Sequence, residues 1–598
     1  MNCKKSLLTA AVALALPLSA FAIGGASGTK IDWIVQGELG QVVINPYDIA
    51  PLTAVIRNGG YVLEKASVRI VPKKGGQEIR YDVGPQSLRT HGGIPVWGLY
   101  ADYLNTVEVT YTRVFQGKME DKKETYKIRT APVYFEATGN NLQYSGAFEV
   151  DVKTKAPKEF SDRLYFINNL LYAGPKASQV VWNNPVGGAQ EWANYPQNAV
   201  IDTTGETRWY MKPDAIYNPR DPFKAGIMMG FHQNPDGTLT WGYGQRYVKY
   251  DLMGREVWNR LLPVNYNDFS HAMSVGENGN YFLRVASSDL RRADGTHVRT
   301  VRDVIIEVDP SGNVVDEWRL FEILDPQRNI VLKSIDQGAV CLNVDLSKQG
   351  QTLSAEALAK LEAQHAFGDI TGTGAGRNWA HVNSVDYDAE DDSIILSSRH
   401  QSAVVKIGRD KKVKWILAAP NGWRGELKDK VLTPVDKDGK PLNCRLGKCE
   451  GGFDWTWTQH TGWKINEMSK GDIIYVSVFD NGDGRAFVQP DDPKEKYSRA
   501  VVYKIDQKKM TVQQVWEYGK ERGHELYSAI TSSVEYLKDK DSLLVYWASI
   551  GVADKENGPA PVLTEFKWGE SKPAVEMKLH NTMGYRALTI DVEKAFEK

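Results

Sequence analysis

The chain has 598 residues, and 73 lysines and arginines against 74 aspartates and glutamates give it a formal net charge of -1. This balance argues against a nucleic-acid-binding protein, which would carry a basic excess. The content of 42% hydrophobic and 10% aromatic residues argues against disorder. The length exceeds one ordinary hydrophobic core, and the 53 glycines and 26 prolines are typical of short strands joined by turns. The composition predicts a large soluble β protein of more than one domain.

The N-terminus has the three parts of a secretory signal peptide. Lys4 and Lys5 give it a positive start, and residues 7–18 form a short apolar stretch. Ala20-Phe21-Ala22 then supplies the small residues of a cleavage site. The apolar stretch is too short to span a bilayer, and no later run reaches about 18 apolar residues. We expect residues 1–22 to be removed on export, with a retained membrane anchor as the alternative.

Residues 23–150 alternate apolar and polar positions, for example at 67–71 and 106–114, with Pro/Gly turns between the segments. This pattern predicts a small antiparallel β-sandwich. The polar stretch 153–158 indicates the end of this domain. A second domain is therefore expected over residues 151–598.

The second domain repeats a sequence motif. The motif, here called a phrase, is an apolar residue followed by Asp, then a tight turn, then an apolar strand that contains Trp. Each copy predicts a β-hairpin in which the Trp packs. The copies are Ile201-Asp202 with Trp209, Tyr250-Asp251 with Trp258, Val308-Asp309 with Trp318, Ile407 with Trp415, Ile505-Asp506 with Trp516 and, in degenerate form, Phe566 with Val575.

A second phrase lies between these copies, at 271–275, 381–385 and 530–534, each followed by a turn and another apolar strand. Two hairpins per unit make a four-stranded blade, and about six units make a closed propeller. The predicted fold is all-β, a six-bladed β-propeller with a small N-terminal β-sandwich. One insertion, at 354–364, is predicted to be a helix with Ser354 as its N-cap.

Three histidines, His271, His381 and His460, occupy the same position of the second phrase in three blades. Because the inner strands of a propeller converge on its axis, we expect these side chains to cluster. Asn383 lies on the same strand face as His381, and Arg399 ends the next strand. Such a set suits a tetrahedral oxyanion such as sulfate. The alternatives are buried channel histidines, or a zinc or copper site, which Arg399 would disfavour.

The cysteines indicate a structural role. Cys444 and Cys449 enclose a short polar loop, for which a structural disulfide is favoured over a redox or metal site. Cys341 lies between apolar residues and is predicted to be a buried free thiol. The Gly-rich stretch 371–376 lacks the Lys of a phosphate-binding loop and is predicted to be a flexible insertion.

Five segments resemble bacterial arylsulfate sulfotransferases. They are Asn378-Trp-Ala-His-Val-Asn-Ser384, Ser397-Ser-Arg-His400, Phe453-Asp-Trp-Thr-Trp-Thr-Gln-His-Thr461, Tyr527-Ser-Ala-Ile-Thr531 and Tyr585-Arg-Ala587. That family is periplasmic and does not use phosphoadenosine-type sulfate donors. The resemblance covers essentially the mature chain. It implies a periplasmic homodimer of six-bladed propellers. We expect no cofactor, no metal, no nucleic-acid partner and no membrane association after signal cleavage.

The resemblance also implies roles for individual residues. The partners would be a phenolic sulfate donor and a phenolic acceptor, with ping-pong transfer through a sulfohistidine, and a periplasmic thiol-disulfide oxidase would form the Cys444–Cys449 bridge. A non-catalytic propeller and a quinoprotein-type dehydrogenase are the alternative functions. The implied nucleophile is His460, and the implied sulfate-binding residues are His271, His381, Asn383, Arg399 and Thr531.

Overall fold

The computed structural model describes residues 37–135, 148–170, 195–328, 356 and 379–598, with short omissions within 213–222, 288–302, 327, 489–491 and 553–555. Four sequence predictions lie outside the described residues. They concern the signal peptide at 1–22, Cys341, the helix at 354–364 apart from residue 356, and the Gly-rich loop at 371–376.

The N-terminal domain consists of two antiparallel sheets. Alternate residues of its strands are buried, as the sequence pattern predicts, and the buried residues of the two sheets belong to one core. The predicted β-sandwich is thereby confirmed. A helix at Pro85–His91 begins with proline and ends at Gly92, whose φ of 65° suits glycine. The first sheet contains β1 (Val42–Ile44), β2 (Thr53–Arg57) and β5 (Gly93–Trp97), and the second has the order β4 (Ile79–Val83), β3 (Val62–Ile70), β6 (Leu104–Phe115) and β7 (Lys118–Arg129).

Six further sheets form the blades of the propeller, and the first strand named in each is the innermost. Blade 1 is β37 (Met583–Thr589), β9 (Leu164–Leu170), β10 (Ala199–Asp202) and β11 (Thr207–Tyr210). Blade 2 is β12 (Met229–Gln233), β13 (Leu239–Tyr243), β14 (Arg246–Tyr250) and β15 (Glu256–Leu261). Blade 3 is β16 (Met273–Val275), β17 (Tyr281–Val285), β20 (Val304–Val308) and β21 (Val314–Arg319).

Blade 4 is β22 (Val382–Asp388), β23 (Ser393–Ser398), β24 (Ala403–Gly408) and β25 (Val413–Leu417). Blade 5 is β29 (His460–Lys464), β30 (Ile473–Asp480), β31 (Arg499–Asp506), β32 (Thr511–Tyr518) and β26 (Thr433–Pro434). Blade 6 is β33 (Ser533–Leu537), β34 (Ser542–Trp547), β35 (Val562–Lys567), β36 (Val575–His580) and β8 (Glu149–Thr154). Two small hairpins pair β18 (Leu290–Arg291) with β19 (His297–Val298), and β27 (Cys444–Arg445) with β28 (Lys448–Cys449).

The innermost strands form a ring around the axis. Strand β12 contacts β16, β16 contacts β22, β22 contacts β29, β29 contacts β33, and β33 contacts β37. Blade 1 completes the ring against blade 2, since the rings of Phe166 (β9) and Phe231 (β12) lie 4.8 Å apart. In a ring of six this order places β22 opposite β37. Blade 1 combines the C-terminal strand β37 with β9 from the start of the propeller, which joins the two ends of the chain. The predicted six-bladed propeller is thereby confirmed.

The repeated Trp residues tie neighbouring blades together. Each predicted Asp/Trp hairpin is the pair of third and fourth strands of one blade. In three copies the buried indole N–H donates to a backbone carbonyl at the equivalent turn of the next blade, whereas Trp415 donates to the side-chain oxygen of Gln507 at 3.0 Å. The three are Trp209 to Leu252 at 2.9 Å, Trp318 to Gly408 at 3.2 Å and Trp516 to Glu570 at 3.0 Å.

Helices are short and lie between strands or at the chain end. Among the described residues, no helix is long and apolar enough to cross a membrane. Besides Pro85–His91, the described part of the chain contains the α-helices Leu320–Ile323 and Val592–Phe596 and the 3-10 helices Lys158–Phe160, Arg399–Gln401, Gly425–Lys430, Arg485–Phe487, Pro493–Glu495, Lys520–Leu526 and Lys538–Lys540.

Candidate active site

The three predicted histidines lie together at one end of the axis. The ring centroid of His271 is 5.0 Å from that of His381 and 5.7 Å from that of His460. His460 begins β29, His381 directly precedes β22, and His271 lies just before β16. The shared repeat position therefore brings the three imidazoles to one place, as the sequence predicts. All three residues are buried.

The backbone around this cluster is held in an uncommon conformation. His271, His381 and Thr531 have φ values of 69°, 45° and 57°, in the left-handed region. A residue with a side chain adopts this region at a cost of about 1–3 kcal/mol, and such positions concentrate at active sites. The recurrence at the start of three inner strands points to a functional demand at this end of the axis.

His460 is held as one tautomer. Its Nδ1 lies 2.9 Å from the carbonyl oxygen of Ser532, so Nδ1 carries the proton and donates it, because a carbonyl only accepts. Its Nε2 is buried and has no hydrogen-bond partner. Burial, followed by the charges of Arg586 and Arg399, holds the pKa of His460 well below 6.5. The result is a neutral imidazole with its lone pair on Nε2.

Arg399 crosses from blade 4 towards blades 5 and 6. It is 1% exposed, its Nη1 donates to the carbonyl of Thr458, and its Nη2 donates to that of Ala529 at 3.1 Å. Its backbone N–H donates to the carbonyl of His381 at 3.1 Å. The guanidinium is therefore fixed beside the segment that leads into His460. A fixed positive charge in a buried site attracts an anion strongly.

The side chains of Asn383 and Thr531 form hydrogen bonds with nearby backbone groups. Asn383 Nδ2 donates to the carbonyl of Gln459 at 2.7 Å, and Asn383 Oδ1 accepts from the N–H of Thr461 at 3.4 Å. Asn383 thus holds the chain on both sides of His460. The Thr531 hydroxyl donates to the carbonyl of Ile530 at 2.6 Å. Asn383 therefore shapes the cluster directly, whereas the Thr531 hydroxyl bonds to the backbone just before Ser532, whose carbonyl oxygen holds His460.

The structure adds three residues that the sequence prediction did not place in the site. Tyr585 lies with its ring 5.3 Å from His460 and 6.0 Å from His271, and its hydroxyl donates to the carbonyl of His271 at 3.3 Å. The ring of His400 lies 4.6 Å from that of His381. Arg586 is buried and its charge acts on His460. The segments that contain them were visible in the sequence, but none occupies the repeated histidine position.

The charge of the site favours an anion over a metal ion. Within the part of the chain that the structure describes, no group of three or more His, Cys, Asp or Glu residues is arranged to hold a metal. Arg399 and Arg586 both act as positive charges on His460. An oxyanion fits this combination of imidazoles and guanidinium groups.

Comparison with known proteins identifies the family. Residues 149–586 match Arylsulfotransferase (ASST), and residues 41–131 match the Arylsulfotransferase Ig-like domain. The chain belongs to the arylsulfotransferase family. Arylsulfate sulfotransferase AssT of Escherichia coli O6:H1 (strain CFT073) and that of Lelliottia amnigena are each 42% identical to it, over 99% of both chains. The predictions of this family, and of an aryl-sulfate sulfotransferase enzyme, are confirmed.

Solved structures show more distant likeness. A protein of unknown function from Bacteroides caccae is 11% identical, with a TM-score of 0.34, and the match covers 72% of this chain and 99% of that one. A putative TolB from Agrobacterium tumefaciens is 7% identical, with a TM-score of 0.29 over 74% of this chain and 98% of that one. TM-scores this low do not support a fold assignment. The propeller is therefore assigned from the six sheets of this structure.

The predicted disulfide of this arylsulfotransferase is confirmed. Cys444 and Cys449 are bonded and close the β27–β28 hairpin. The hairpin packs tightly on Trp457, because a Cβ placed on Gly447 would lie 2.6 Å from that indole ring. Trp457 lies three residues before His460. The bridge therefore supports the segment that carries His460 into the site.

Proposed function

We propose that this arylsulfotransferase moves a sulfuryl group from a phenolic sulfate ester to a phenolic acceptor, by ping-pong transfer through a sulfohistidine on His460. The observation that carries the proposal is the state of the imidazole. Nδ1 is committed to the Ser532 carbonyl, whereas Nε2 is buried without a partner. A neutral nitrogen with an uncommitted lone pair is what nucleophilic catalysis needs.

In the first step, the Nε2 lone pair attacks sulfur in line with the sulfur–oxygen bond to the aryl group. That bond breaks, and its electron pair leaves with the phenolate. A phenol, with a pKa of about 10, is a much better leaving group than an alkyl alcohol, which favours aryl esters as donors. Arg399, His271 and His381 would bind the sulfuryl oxygens and stabilise their charge in the transition state.

In the second step, the oxygen of the acceptor phenol attacks sulfur and the nitrogen–sulfur bond breaks. The electron pair returns to Nε2, the phenolic proton of the acceptor is released to solvent, and free neutral His460 is regenerated. Because donor phenol leaves before acceptor attacks, the two never bind the reactive centre together. Asn383 and Thr531 are the remaining residues of the proposed sulfate-binding site. Asn383 also holds the chain around His460.

The cellular setting is part of the same proposal. We place residues 1–22 as a cleaved signal peptide, 23–150 as the sandwich domain and 151–598 as the catalytic propeller of a periplasmic homodimer. A periplasmic thiol-disulfide oxidase would form the Cys444–Cys449 bond. Support comes from that bond, which persists in an oxidising compartment, and from β8 (Glu149–Thr154), which pairs with blade 6. The names of the two relatives support aryl sulfate substrates.

The decisive experiment concerns the nucleophile. His460→Asn should abolish phenol-dependent release of nitrophenol from 4-nitrophenyl sulfate, since Asn offers no nucleophilic ring nitrogen. Wild-type protein mixed with donor alone and quenched at high pH should gain one sulfuryl mass on the peptide that contains His460. A sulfuryl label on His271 or His381 would show that the labelled residue, and not His460, is the nucleophile. No label together with sequential kinetics would replace the covalent intermediate by direct transfer between bound phenols.

Variants of the oxyanion-binding residues provide a second test. Arg399→Met and His381→Asn should keep the covalent label and lower turnover by about 10²–10³-fold, because each removes one donor to the developing charge. Turnover and labelling of purified, folded variants are the measurements. If Arg399→Met loses the covalent label, Arg399 does more than stabilise charge in the transition state.

A further inference from the structure

A cavity of about 840 Å³ lies on the propeller axis, beyond the histidine cluster. Its lining begins further along the inner strands than the cluster, since Met273 follows His271 and Trp463 follows His460. The cavity extends to the junction with the N-terminal domain, where Gln77 and Arg80 line it. Every innermost strand contributes to its wall, through Phe231, Met273, Val385, Trp463, Glu535 and Ala587.

Arg586 lies between this cavity and the reactive end of the axis. It belongs to β37 and lines the cavity, while the residue before it, Tyr585, contacts His460. Its Nη2 donates to the carbonyl of Asn383, which belongs to β22. Because β22 stands opposite β37 in the ring of innermost strands, the side chain of Arg586 crosses the axis. It is only 8% exposed.

Aromatic rings flank the guanidinium of Arg586. Its central carbon lies 5.2 Å from the ring centroid of Trp463 and 5.3 Å from that of Tyr585. Arginine stacks on aromatic faces more readily than lysine does, so these rings help to hold the guanidinium across the axis. The carbonyl that it binds belongs to Asn383, whose amide holds the chain on both sides of His460.

We propose that Arg586 is a barrier that separates the reactive end of the axis from the axial cavity, and that it directs the sulfuryl group to a phenol instead of water. The inference rests on the proposed sulfohistidine. In the competing reaction, a water oxygen attacks sulfur, the nitrogen–sulfur bond breaks with its electron pair returning to Nε2 of His460, and sulfate and a proton are released. Excluding water from the reactive centre suppresses this reaction. Arg586 acts through the space that it fills and the backbone that it holds, so it is a positioning residue.

The test measures how the sulfuryl group divides between water and phenol. Wild-type enzyme, Arg586→Ala and Arg586→Gln are each mixed with 4-nitrophenyl sulfate and one fixed concentration of phenol. Phenyl sulfate is quantified by chromatography and inorganic sulfate by ion chromatography. Both substitutions shorten the side chain, so we expect the ratio of sulfate to phenyl sulfate to rise about tenfold. A purely structural defect would lower both products together and leave their ratio unchanged.

Arg163→Gln is the matched control. Arg163 is a buried arginine that lines the same cavity, but it pairs with Glu565 at 2.8 Å and does not cross the axis. It should leave the ratio at the wild-type value. An unchanged ratio in Arg586→Ala, or an equal rise in Arg163→Gln, would overturn the inference. If Arg586→Ala does not fold, Arg586→Gln decides. Wild-type enzyme that labels no histidine would instead disprove the sulfohistidine itself.

Discussion

His460 is distinguished from its neighbouring histidines by its surroundings. One backbone carbonyl, that of Ser532, fixes the proton on Nδ1 and leaves Nε2 available. Burial removes the hydration that would stabilise an imidazolium, and the charges of Arg586 and Arg399 disfavour it further. Arg399, which would bind an anionic substrate, therefore also helps to keep the nucleophile neutral.

The lowered pKa of His460 has a consequence for the pH profile. Only the neutral imidazole is nucleophilic, and protonation needs a pH below its pKa, which lies well below 6.5. We therefore expect kcat/KM to show no loss due to His460 as the pH falls from 8 to 6.5, and an acid limb only below that range. The profile of 4-nitrophenyl sulfate turnover at saturating phenol checks this. An acid limb at or above pH 6.5 that also appears in the rate of His460 labelling would contradict it.

At the scale of elements, the disulfide hairpin and the repeated Trp residues hold the blades that present the site. Trp209, Trp318 and Trp516 connect consecutive blades through their indole N–H groups. The hairpin of Cys444 and Cys449 presses instead on Trp457, close to His460 in the chain. The bridge is therefore a local support for the active-site segment.

Replacing Cys444 and Cys449 by serine should destabilise the protein and lower its activity. A loop with a sequence separation of 5 is closed by the bond, and opening so short a loop costs about 2 kcal/mol. Chemical denaturation and turnover of 4-nitrophenyl sulfate are the measurements. Reduction of wild-type protein should reproduce the loss, whereas reductant should leave the double variant unchanged. Unaltered stability and activity in the double variant would show that the bridge supports nothing.

At the scale of the whole molecule, the sandwich and the propeller are joined by a shared core and by the C-terminus. Buried residues of both domains belong to one apolar cluster. The terminal helix Val592–Phe596 contacts β4, and the carbonyl of Phe596 accepts from the N–H of Gly84 at 2.8 Å. The buried side chain of Gln77 links the domains further. Its amide donates to the carbonyl of Arg163 at 3.0 Å and accepts from the hydroxyl of Thr203 at 2.7 Å.

We expect Gln77→Ala to destabilise the protein by about 1–3 kcal/mol, because buried polar groups of the propeller lose their partner. The exposed Gln86 of the same domain provides the control, and Gln86→Ala should change stability little. Chemical denaturation followed by far-UV circular dichroism measures both. The two domains should still unfold together, since they share a core. Equal stability of the two variants would mean that Gln77 contributes nothing to the junction.

The sequence by itself determined the repeating parts of this protein. Strand alternation, Asp/Gly turns and Trp are local patterns, so the six hairpins and the common position of His271, His381 and His460 could be predicted. The proximity of Cys444 and Cys449 could be predicted too, because they are neighbours in the chain.

Only the tertiary structure decided which groups meet across the axis. Arg586 contacts Asn383 because closure of the ring places β37 opposite β22. The sequence repeats do not indicate which strands face each other across the axis. The tautomer of His460 depends on a carbonyl of blade 6, which belongs to the backbone and leaves no mark in the side-chain pattern. Local periodicity therefore specifies blades, whereas the chemistry of the axis depends on how six blades close.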